Sequence, residues 1–218
     1  MIAGLLMPTA LIRVYEELND FIPAHEYKRR FPALFQEGDT VKALLEALGI
    51  PHTEIDLILI NGLSVPFSYQ LQDQDRVSAY PLFESFDISN LSKVRPKPLR
   101  KTKFILDVHL GRLAKELRML GYDAEYSNQH DDEMLSAISN REKRIILTRD
   151  RGLLKRKIIS HGYCVRSKTP RKQIAEVMQR FDLAGAVKPF SRCLLCNEPL
   201  RPAVLKKIRN RLPKRVVR

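Results

Sequence analysis

Residues 103–155 read KFILDVHLGRLAKELRMLGYDAEYSNQHDDEMLSAISNREKRIILTRDRGLLK, and the fold is decided there. Two short apolar runs, 104–106 and 145–147, each lead into an acid: Asp107 directly, and Asp150 after Thr148 and Arg149. Both read as buried parallel strands. Between them lie a helical segment, a short extended piece over 123–127, and a second helix opened by Asp131, Asp132 and Glu133. Strand, helix, strand, helix, strand is the pattern of a sheet with helical crossovers. Right-handed crossovers bring successive strand ends to one edge, and ligands of such sheets bind beyond the carboxyl ends of the strands. Asp107 and Asp150 are therefore expected to face one crevice.

Carboxylates a few ångströms apart raise each other's pKa unless a cation neutralises them. An oxygen-only donor set selects magnesium or manganese. The plainer reading is that Asp107 and Asp150 cap the helices that follow, since Asp is a preferred N-cap residue. Pattern alone leaves both readings open.

The strings FILDVHLGRLAKELRMLGYDAEY, DDEMLSAI and RIILTRDRGLLKR resemble the Mut-seven C-terminal RNase domain family, a PIN-like ribonuclease family, over residues 103 to 200. The resemblance implies an α/β fold, a PIN-like parallel sheet with flanking helices, and a carboxylate cluster holding one or two divalent ions. By position, the implied catalytic acids are Asp107, Asp131, Asp132 and Asp150, with Asp107, Asp132 and Asp150 as ligands of Mg2+ or Mn2+. PIN nucleases often carry a further acid soon after the last one; here Arg151, Gly152 and Leu153 follow, which implies a three-acid site.

The chain has 218 residues, 44% of them hydrophobic, enough for one or two cored domains. Residues 1–92 carry 6 Lys/Arg and 13 Asp/Glu, net −7, while 93–218 carry 32 and 12, net +20. That asymmetry points to a polyanionic partner for the second part, RNA being the partner the resemblance implies. No run of about 18 apolar residues is present, so no membrane span is expected. Three cysteines make no disulfide framework, and a reducing, cytoplasmic setting is expected.

In the first part, a strand is predicted over 10–18 and a helix over 41–49, capped by Asp39 or Thr40. A strand over 54–60, an Asn61-Gly62 hairpin, a return over 64–69 and a last strand over 76–81 complete a small α+β roll. DLILINGLSV and LQDQDRVSAYP resemble the ubiquitin-like, β-grasp domain that precedes this nuclease domain, and also sulfur carriers. Both ubiquitin and sulfur carriers act through a terminal Gly-Gly; none stands near residues 80–87, so a docking surface for a protein partner or a stabilising module is expected instead. The expected organisation is a ubiquitin-like domain at 1–87, a basic Pro-containing linker at 88–102, the PIN-like domain at 103–186, and a partial zinc knuckle with a basic tail at 187–218.

In the helix after Asp107, Leu110, Leu113, Leu117 and Leu120 form one buried stripe, with Gly121 as its left-handed stop. Arg112, Arg149 and Arg151 lie near the acids and are candidate phosphate ligands, whereas Arg118 reads as structural. A loop is expected over 139–144, a basic helix over 151–159, a fourth strand over 163–166 with Cys164 inward, and a helix from Pro170. His109 and His130 stand nearest the acids and read as loop or helix-end residues, with metal ligation or proton transfer as the bolder role. Cys193-Leu194-Leu195-Cys196 is half a zinc knuckle; structural Zn2+ takes four ligands, and no second CxxC follows. The expected function is metal-dependent hydrolysis of RNA phosphodiester bonds. Its rival is a non-catalytic RNA-binding or toxin-like regulatory protein on the same fold.

Overall fold

The computed structural model describes residues 7–81, 91–94 and 102–203. The first unit is a five-stranded mixed sheet built from β1 (Thr9–Val14), β2 (Phe31–Leu34), β3 (Leu57–Ile60), β4 (Leu63–Ser64) and β5 (Arg76–Tyr80), in the order β2-β1-β5-β3-β4. β1 and β5 pair in parallel at its centre and the other pairings are antiparallel. Alternation along β1 puts Ala10, Ile12 and Val14 inside. Over this sheet lies α1 (Val41–Ala47), whose Val41, Leu44 and Leu45 are buried and whose N-cap Thr40 accepts from Ala43 N at 3.2 Å. Asn61 and Gly62 both have positive φ, 52° and 89°, as a type I′ hairpin requires. This is the β-grasp arrangement expected from sequence.

The second unit is an all-parallel sheet of β6 (Lys103–Leu106), β7 (Asp123–Tyr126), β8 (Ile145–Thr148) and β9 (Gly162–Cys164), in the order β7-β6-β8-β9. Its helices are α2 (Gly111–Met119), α3 (Asp132–Glu142), α4 (Arg151–Leu154) and α5 (Pro170–Arg180). One face, with Phe104, Leu106, Leu147 and Tyr163, packs on Leu113 and Leu117 of α2 and Val177 of α5. Ile105, Ile146 and Cys164 point to the other face and join Leu135 of α3 with Leu153 and Leu154 around α4. The fold class is thus mixed: a β-grasp sheet followed by a parallel α/β sheet.

Several local expectations are corrected. β1 ends at Val14 because Glu16 takes φ 44°, and Leu18 belongs to a 3-10 turn, Glu16–Phe21. The 54–60 strand is confined to Leu57–Ile60, since His52–Glu54 forms a 3-10 turn, and the returning strand is only Leu63–Ser64. The helix over 151–159 shrinks to the single turn of α4, and the loop over 139–144 is mostly the end of α3, closed by Lys143 in the left-handed region. β2 was not predicted. Most of the basic linker and of the basic tail lies outside the described residues.

The two units share one apolar core. Leu153, Leu154 and Ile159 cluster with Phe21, Leu45, Ile50 and Ile58 of the first unit. Polar contacts follow the same seam. Glu54, 0% exposed, accepts from Cys164 N on the edge strand β9 and from Arg166 Nη2 at 3.2 Å. Burial pushes the Glu54 carboxyl up, against the pull of Arg166. Arg166 also pairs with Asp20 at 2.9 Å, and Arg180 with Glu17 at 3.6 Å. The N–H that a sheet edge would leave exposed is thereby taken by the neighbouring unit. No helix among the described residues is long and apolar enough to cross a membrane.

Candidate active site

The chain leaves β6 for β7 on one side, then crosses to β8 on the other, so the strand order reverses between β6 and β8. A crevice at such a reversal, beyond the carboxyl ends of the strands, is where open α/β sheets bind ligands. Asp107 follows β6 there and Asp150 follows β8. A cleft of about 610 Å³ opens at this point, lined by Asp107, Asp131, Asp132 and Asp150 together with Val108, His109, His130 and Arg149.

Thr148, the last residue of β8 and 0% exposed, ties the two strand ends together. Its hydroxyl donates to Asp107 Oδ2 at 2.7 Å and accepts from Asp150 N at 2.9 Å. The backbone N–H of Asp107 donates to Leu147 O at 3.1 Å, which sets the height of the acid relative to β8. Sequence reading passed over Thr148. The signal was present: a hydroxyl directly after an apolar run, at a strand end between two acids.

The capping reading holds for two of the acids. Asp150 Oδ1 accepts from Gly152 N at 2.7 Å and Asp131 Oδ1 from Met134 N at 2.8 Å, so these two cap α4 and α3. Asp107 makes no cap bond. Among the described residues, the second oxygen of Asp107, Asp131 and Asp150, and both carboxylate oxygens of Asp132, receive no protein donor. As a donor set these oxygens suit a hard divalent ion. Their spacing is open: among the described residues no three His, Cys, Asp or Glu side chains gather closely enough to hold a metal.

Of the basic candidates, Arg149 lines the cleft. Arg112, exposed on the first turn of α2, does not. Arg151 turns away to the first unit, where its guanidinium lies 4.8 Å from the Phe21 ring centroid and donates to Asp20 O at 3.2 Å. His109 and His130 both line the cleft, and His130 Nδ1 is buried without a hydrogen-bond partner. His109 sits in the 3-10 turn Val108–Leu110 and His130 just before the Asp131 cap of α3, the helix-end and loop positions expected, and both face the cleft with the acids.

The cysteine pair lies elsewhere, against the outer edge strand β7. Asn197 Oδ1 accepts from Ala124 N at 3.1 Å, and buried Arg118 donates to Ala124 O at 2.8 Å and to Leu194 O and Leu195 O at 3.1 and 2.9 Å. Arg118 is structural, as expected. Hydrogen bonds from the N–H groups of Cys196 and Leu195 hold the Cys193 thiol below its ordinary value. Two thiols supply half of a structural zinc site, and the described residues add no third donor.

Comparison with family models adds the deciding observation: the Mut7-C RNAse domain matches residues 102–218, more than half of the chain, and Mut7-C ubiquitin matches residues 7–87. The chain belongs to the Mut7-C RNAse domain family. Searches of curated proteins and of solved structures gave no match. Membership points to a nuclease-like role, and the segment matched as the Mut7-C RNAse domain contains every residue of the cleft. The first unit, described residues 7–81, falls within the Mut7-C ubiquitin match.

Proposed function

We propose that the chain is a metal-dependent ribonuclease that hydrolyses RNA phosphodiester bonds in the cleft between β6 and β8. The observation that carries this reading is that Asp107 and Asp150 line one cleft at the strand-order reversal, where the Thr148 hydroxyl joins the Asp107 carboxylate to the Asp150 backbone N–H. Asp107, Asp132 and Asp150 would hold Mg2+ or Mn2+ by drawing closer together than they stand here, with Asp131 beside them. When bound, such an ion makes water nucleophilic at neutral pH and neutralises charge that builds on the phosphate. Thr148 and the two helix caps hold Asp107, Asp131 and Asp150 by one oxygen each, leaving one oxygen of each for a ligand. Arg149 binds the phosphate backbone, a contact that positions the strand without reading its sequence. The preference for RNA rests on the family. Zinc at Cys193 and Cys196 stays outside this reaction.

The open spacing of the acids favours a second reading, a non-catalytic RNA-binding protein on the same fold. Cleavage of single-stranded RNA with Mg2+ or Mn2+, before and after chelation, separates the two. The hydrolase loses turnover on chelation and regains it when the ion is restored. The binder retains RNA without cleavage and with the same affinity in either condition.

A further inference from the structure

α4 comprises four residues and starts at Asp150, which caps it. A single turn is unfavourable on its own, because fixing its dihedrals yields too few hydrogen bonds. This turn packs on β8 and β9 of its own sheet and is held from outside as well. Arg151 reaches Phe21 and Asp20 O, and Lys155 Nζ donates to Glu46 O at 2.6 Å. Just beyond, Ile159 O meets His52 Nε2 at 2.8 Å. Leu153 and Leu154, 1% and 0% exposed, complete the attachment by entering the core that holds Phe21, Leu45 and Ile50. Every outside partner in this set belongs to the ubiquitin-like domain, and the residue at the head of the turn lines the cleft.

We propose that the ubiquitin-like domain is a positioning element of the cleft, which fixes α4 through Phe21, Asp20 and Glu46 and thereby sets the place of Asp150. Arg151 is then a positioning residue rather than a phosphate ligand. The structural part of this proposal stands without the hydrolase reading; its effect on turnover rests on that reading.

The test uses the full chain with Phe21→Leu, Arg151→Gln and the double variant. Amide hydrogen exchange is read at Asp150 and Gly152, whose N–H groups bond Thr148 Oγ1 and Asp150 Oδ1. Exchange at both rises about tenfold in each single variant and no further in the double, while Ile105 in β6 is unchanged. On RNA, kcat falls roughly ten- to a hundredfold with RNA affinity retained, as expected for a displaced group rather than a lost contact. Should Phe21→Leu also speed exchange at Ile105, it has loosened the whole sheet, and exposed Arg151 carries the test alone. Unchanged exchange at Asp150 and Gly152, or loss of RNA affinity as the main effect of Arg151→Gln, overturns the proposal. If the unaltered chain cleaves no RNA, the hydrolase reading fails and the exchange measurement still decides this one.

Discussion

Thr148 Oγ1 donates to Asp107 Oδ2 at 2.7 Å across 41 residues of sequence, and both residues are buried. The bond links the ends of two adjacent strands, and the same oxygen accepts the Asp150 amide. One hydroxyl therefore holds the carboxylate of one acid and the backbone of a second.

Thr148→Val keeps the shape and removes the hydroxyl. It leaves a buried carboxylate oxygen and the Asp150 N–H unsatisfied, at a cost of about 1–3 kcal/mol. Thr148→Ser restores both bonds. The expected outcome is a lower urea midpoint and reduced RNA cleavage for Val, with recovery of cleavage for Ser.

Glu54→Leu leaves Arg166 without its buried partner and the Cys164 N–H without an acceptor. Breaking one side of a buried pair costs about 3–5 kcal/mol. Because the two units share a core, urea unfolding of the unaltered chain is expected as one transition, coincident by fluorescence and circular dichroism. Two separated transitions in the unaltered chain would contradict the shared core.

Acid stability follows from three carboxyls. Burial pushes Asp123 up, but hydrogen bonds from Arg144 and Asn197 prevail and hold it below its ordinary value. Arg141 and Arg144 lower Glu142. Burial raises Glu176, while donors at Ser167, Arg166 and Tyr163 outweigh it and lower it. Groups depressed in the folded state bind fewer protons there than in the unfolded chain, so their stabilisation is complete above the unfolded values, about 3.9 for Asp and 4.3 for Glu. It is lost as pH falls through the lower folded values. Glu54, raised by burial, has the opposite sign: its contribution is complete below the unfolded value and is lost as pH rises from there through the raised folded value. Urea midpoints measured between pH 7 and pH 2.5 should fall on the acid side, with a shallower fall in Asp123→Asn.

The acids and the parallel strands were legible because each signal is local: an apolar run, then a carboxylate. β2 was hidden by Pro32, which reads as a breaker but sits on an edge strand, where a missing N–H costs little. Arg151 read as a phosphate ligand from its nearness to Asp150, whereas its partner Asp20 lies 131 residues away. The turn at Ile159 depends likewise on His52, 107 residues off. Spacing reports neighbours along a helix or strand; it says nothing of the surface a side chain meets across two domains.

Arg118→Met removes the donor for three carbonyls, Ala124, Leu194 and Leu195. Stability should drop by about 1–3 kcal/mol, since those groups lose a buried partner. Limited proteolysis should then cut first within residues 191–200. Cleavage of RNA by the intact variant should be unaffected, because Arg118 lies outside the cleft.

Asp107→Asn and Asp150→Asn test the account most directly, measured side by side for RNA cleavage with Mn2+ and for RNA affinity. The predicted result is loss of cleavage in both at unchanged affinity, since each substitution removes one carboxylate from the cleft and leaves Arg149 in place. Full cleavage by either variant would contradict the assignment of the cleft as the hydrolytic site.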